Sequence, residues 1–144
     1  MESRAELEAR GVRFVRKGDS RLMWLIGKLL FFVPHFSTRF WTTIGRTIYY
    51  PDYVEDPLAQ ETVVRHELIH VAQFERWGAF FMLAYLLFPL PVGLAWFRWR
   101  WEREAYLVNL RAGAPLDFVV FTLWNNYGWC WPKSWMRKWF QKNL

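Results

Sequence analysis

The chain has 144 residues, a formal net charge of +6 and one cysteine, which suits one domain with a modest core and excludes an intramolecular disulfide. Aromatic residues make up 21 % of it, 11 of them tryptophan, and with the basic charge they point to a membrane surface or to nucleic acid. No nucleic-acid-binding motif accompanies the charge, so nucleic acid is set aside.

Residues 1–10 are charged and rich in Ala, Glu and Arg, without the apolar stretch of a signal peptide, and read as a helical segment. With the single cysteine, this gives the expectation of a cytoplasmic protein that works at the inner face of the membrane. Residues 12–16 alternate apolar and basic, as a short strand does. An apolar helix is expected over residues 21–33, broken by Lys28 and closed by Pro34, too short to span a bilayer. Residues 43–50 are β-branched and aromatic up to Pro51 and read as one strand.

Asp56-Pro57 opens the next helix as an N-cap followed by proline at the first helical position, and Gly78 closes it. Within residues 57–77 lies His66-Glu67-Leu68-Ile69-His70. Positions i and i+4 share a helix face, so His66 and His70 can present their rings to one zinc ion, with Glu67 beside the first ligand as a proton acceptor. Val63, His66, Glu67, His70, Phe74 and Trp77 are expected to form the floor of a cleft. Arg65, Gln73, Glu75 and Arg76 are expected in solvent.

Two histidines do not hold a catalytic zinc, and a third ligand is required. His35 is the only other histidine and Cys130 the only cysteine, the latter reading as a buried apolar residue between two tryptophans. Glu102 is the better candidate, since Ala105 lies one turn away on the same face and would let its helix approach closely. Glu104, the alternative, reads as a surface partner of Arg100 or Arg103.

The ligands also constrain the apolar run at residues 79–97, which is long enough by count to span a bilayer. A single crossing would part His70 from Glu102 by roughly 30 Å of hydrocarbon. The chain is therefore expected to turn at residues 88–91, where Pro89 and Pro91 interrupt the helix. The Glu102 helix then covers residues 94–111 and ends at Ala112-Gly113. An apolar helix at residues 118–124, broken by residues 125–128, and an amphipathic helix at residues 132–144 complete the chain. Trp135 and Trp139 among cations, and Trp96, Trp99 and Trp101 interleaved with Arg98 and Arg100, suit an interfacial belt of peripheral or monotopic membrane contact. The alternative is a tryptophan-rich core with a basic rim. The fold class expected is mainly α with a small β element (α+β), in one domain.

HELIH followed by Glu102-x-x-Ala105 resembles the gluzincin metallopeptidases, in particular the small minigluzincin type, over residues 42–111, about half the chain. The resemblance implies one zinc ion on His66, His70 and Glu102, with Glu67 as general base and acid. It also implies an upstream strand that forms the cleft rim and pairs with an extended peptide. Residues 43–50 suit that role, and equally that of a core strand. The expected chemistry is attack on a peptide carbonyl by zinc-activated water, Glu67 passing the proton to the leaving amine. Tyr106, one turn beyond Glu102, is a candidate oxyanion donor, with Tyr49, Tyr85 and His35 as others. The same residues would serve hydrolysis of a non-peptide amide or ester, and a degenerate site would leave a membrane-associated binding protein.

Overall fold

The computed structural model describes residues 3–29, 36–87, 95–127 and 131–144. Helix α1 (Arg4–Ala9) begins at a reciprocal cap, in which Ser3 and Glu6 satisfy each other's backbone N–H groups. Strand β1 (Arg13–Arg16) follows, then a 3-10 turn (Lys17–Asp19), α2 (Arg21–Leu29) and the short α3 (Phe36–Arg39). The expected single strand is a hairpin, β2 (Thr42–Ile44) and β3 (Thr47–Tyr50), joined by Gly45-Arg46. Gly45 has φ 62°, and its α-carbon faces the Phe74 ring, which a Cβ would meet at 3.6 Å. β3 is central, antiparallel to β2 and parallel to β1.

Asp56 caps the 3-10 turn Pro57–Ala59, which leads into α4 (Glu61–Trp77), and Gly78 closes that helix by donating to Phe74 O. Helices α5 (Ala79–Leu87) and α6 (Ala95–Arg111) follow, and α6 packs along α4. Ala105 is fully buried, so the small side chain sits where the two helices must meet. The turn expected at residues 88–91 lies outside the described residues. The return it demands is visible, because Phe81 of α5 stacks edge-on against Trp101 of α6 at 4.6 Å. No helix of the described residues is long and apolar enough to cross a membrane.

α7 (Leu116–Tyr127) runs through Asn125 and Asn126, which were expected to break it. Val119, Val120 and Leu123 are buried in a cluster with Trp99, Met136 and Phe140, and this packing carries the helix past its poor formers. α8 (Lys133–Asn143) completes that cluster. Of the expected aromatic belt, Trp99 and Trp101 are buried in the core, Trp139 is half-buried, and Trp96 and Trp135 are exposed. A second cluster, Leu7, Val12, Ile48 and Val71, binds α1 and the sheet to α4. The class is α+β, mainly helical with a three-stranded sheet.

Candidate metal centre

His66 and His70 stand one turn apart on α4, and Glu102 reaches them from α6. Their exposures are 9, 6 and 2 %, so three ionisable side chains share a nearly dry pocket. Glu102 Oε2 lies 3.6 Å from His66 Nε2, and Oε1 lies 3.7 Å from His70 Nε2. Charge-assisted hydrogen bonds close to about 2.7–2.9 Å, so these gaps are too wide for that. Tetrahedral ligands at about 2.1 Å from a zinc ion stand roughly 3.4 Å apart, close to what is found. One ligand atom from each residue lies within 4.8 Å of the others. The donor set and its spacing fit a zinc ion.

The other ring nitrogens are each paired with an amide. His66 Nδ1 pairs with Asn109 Oδ1 at 3.1 Å, and His70 Nδ1 with Gln73 Oε1 at 3.0 Å. With the amide oxygens accepting, each Nδ1 carries a proton, and each Nε2 is the ring nitrogen that faces Glu102. Gln73 is in turn anchored, its Nε2 donating to Trp101 O at 3.1 Å and to Glu104 Oε2 at 2.9 Å. Gln73 is thus buried rather than solvated, and Glu104 accepts from it while its charge also acts on Arg103. Both lie at whole-turn spacings, Gln73 one turn (three residues) after His70 and Asn109 two turns (seven residues) after Glu102, a signal available in the sequence.

Glu67 is 7 % exposed, and its Oε2 accepts from Thr43 Oγ1 of β2 at 2.6 Å. Tyr106 lies edge-on to His66 with ring centroids 4.7 Å apart. Burial, with the Glu102 and Glu67 charges, drives its phenol pKa far upward and keeps the hydroxyl protonated. His35 and the Tyr85 side chain lie outside what is described, as does Cys130. Of the expected cleft floor, His66, Glu67 and His70 are buried, while Trp77 is exposed.

Lys17 had no place in the sequence reading. It is 3 % exposed, donates to Phe36 O at 2.9 Å and lies 4.1 Å over the Phe36 ring. Burial lowers its pKa to about 8, against the pull of the Glu67 and Asp52 carboxylates. Asp52 is tied to the same turn, accepting from Gly18 N at 2.7 Å, and a Cβ on Gly18 would fall 2.8 Å from Asp52 Oδ2.

The pocket predicts its own pH dependence without metal. Burial disfavours a charged His70, yet the Glu102 charge prevails and raises its pKa from 6.5 to about 9. Burial likewise opposes the Glu102 charge, but His70 and His66 hold the carboxyl well below the usual carboxylate range. A raised histidine pKa stabilises fully below 6.5, and that contribution is lost as pH climbs through about 9. The Glu102 contribution is present above 4.5 and lost on acidification. Between pH 6.5 and about 7, below the Lys17 titration near 8, the chelator-treated protein should lose melting temperature, and His70→Gln should flatten that slope. A slope unchanged in His70→Gln would contradict the assignment.

No family model, curated protein or solved structure matches the chain.

Proposed function

We propose that the protein is a zinc-dependent metallopeptidase of gluzincin type, with His66, His70 and Glu102 as metal ligands and Glu67 as the proton-transfer residue. The observation that carries this reading is the convergence of both Nε2 atoms on the two oxygens of Glu102, with Glu67 anchored beside them. A zinc ion held there supplies Lewis acidity and lowers the pKa of water in its open position.

The remaining work falls to the chain. Thr43 holds Glu67 by Oε2, which leaves Oε1 to take a proton and return it to a leaving amine. Tyr106, kept neutral, is suited to donate to an oxyanion as it develops. β2 carries Thr43 and pairs only with β3 among the described strands, so its outer edge supports binding of an extended peptide past Glu67. That edge favours a peptide over a non-peptide amide or ester. We place this activity in the cytoplasm at the inner face of the membrane, in keeping with the single cysteine.

The test is a diverse peptide library incubated with zinc-loaded and chelated protein. The expected result is internal cleavage by the loaded form only, restored when zinc is returned. Cleavage that persists under chelation, or no cleavage by stoichiometrically loaded protein, counts against the peptidase reading.

A further inference from the structure

Two parts of the surface leave large apolar side chains in water. On α2 only Met23 is buried, while Leu22, Trp24, Leu25 and Leu29 are 43 to 66 % exposed. Where α4, α5 and α6 meet, Trp77, Phe80, Leu83 and Trp96 are 37 to 54 % exposed. Trp77, Phe80 and Trp96 also line a groove of about 170 Å³ with Arg100.

Cations predominate around them, with Asp19 beside Arg21, Trp24 and Leu25 and with Glu75 paired to Arg46 at 3.1 Å as the acidic neighbours. Residues 20–51 contain four cations, Arg21, Lys28, Arg39 and Arg46, and no Asp or Glu. Residues 76–101 contain Arg76, Arg98 and Arg100, and again no Asp or Glu. All 13 acidic residues of the chain lie outside these two stretches. The cations are also placed on the exposed rings: Lys28 Nζ lies 4.1 Å from the Trp24 centroid, Arg76 lies 5.4 Å from Trp77, and Arg100 lies 5.2 Å from Trp96.

We infer that these two surfaces dock the protein on an anionic lipid bilayer, the aromatic and leucine side chains entering the acyl boundary and the cations meeting phosphate headgroups. A ring capped by a cation suits the depth at which hydrocarbon gives way to charge. A second copy of the chain is a poorer occupant, since either face would bring two predominantly cationic surfaces together. The contact proposed is peripheral, since no helix of the described residues is long and apolar enough to cross a core of about 30 Å. Both elements adjoin the site in the chain, α2 following the Lys17 turn and α5 following α4, so docking holds the metal centre near substrates at the surface. The inference deepens the membrane part of the proposed function and does not depend on the metal.

The experiment is co-sedimentation of the full chain with vesicles of phosphatidylcholine alone or with phosphatidylglycerol, over a range of salt. Wild type should sediment with the phosphatidylglycerol vesicles and release as salt rises. Leu25→Glu combined with Leu29→Glu, and separately Phe80→Glu, should each weaken partitioning on the order of tenfold or more. These positions are already exposed, so unchanged circular dichroism and zinc content should accompany the loss. His66→Ala should bind vesicles as wild type does, which separates this result from the metal reading. Four results would overturn the inference: no sedimentation at low salt, equal binding to both lipids, binding indifferent to both variants, or a dimer that the variants dissolve without any vesicle binding.

Discussion

Glu67→Gln should lose hydrolysis by roughly 10²- to 10⁴-fold in kcat, the range that a positioned proton-transfer group supplies. The substitution keeps shape and the ability to accept from Thr43 Oγ1, so the carboxamide should sit where the carboxylate does. What it removes is the basicity of the remaining oxygen. Zinc content should be unchanged, because Glu67 is not among the three converging ligand residues. Steady-state kinetics on any cleaved peptide, paired with metal analysis of the same sample, read both halves. Full activity in Glu67→Gln would remove the residue from the mechanism. Lost activity with lost zinc would instead make it structural. Thr43→Val should give a smaller loss, since it frees the carboxylate to turn without deleting it.

Glu102→Ala and His66→Ala should each abolish stoichiometric zinc binding and, with it, the metal's contribution to stability. A ligand present at about 100 times its dissociation constant adds about 2.7 kcal/mol to the folded state. Wild type should therefore melt later as zinc is added, and neither variant should respond. The supporting residues should show a graded version of the same effect. Gln73→Leu and Asn109→Leu remove the acceptors that orient His70 and His66, and should lower affinity by about 10- to 100-fold rather than abolish it. A zinc-dependent shift in melting temperature that survives Glu102→Ala would place the metal elsewhere.

The grouping of His66, His70 and Glu102 was legible in the sequence because it rests on short-range geometry. Two histidines four apart need only a helix, and Asp56, Pro57 and Gly78 mark its ends. Glu102 followed from Ala105 on its own face, and pairing it with the histidines in turn required the chain to double back between them. What could not be read depended on neighbours far along the chain. Lys17 is buried because Phe36 and Asp52 fold over it, and a lysine in an alternating basic stretch gives no hint of that. Gln73 reads as solvated on a helix with one wet face, yet α6 covers that side of α4 as well. The hairpin was hidden by β-branched and aromatic residues on both sides of Gly45, whose positive φ alone makes the turn. The tryptophans divide by packing: Trp99 and Trp101 share a helix with exposed Trp96, and composition treats the three alike.

The most direct test of the ligand set is X-ray absorption at the zinc K-edge on purified, zinc-loaded protein. The account predicts a first shell of nitrogen and oxygen alone, at about 2.0–2.1 Å, with the outer-shell signature of two imidazole rings. That signature should fall to one ring in His66→Ala if any zinc remains. A sulfur in the shell at about 2.3 Å, or a wild-type spectrum without imidazole, would contradict a site built from His66, His70 and Glu102.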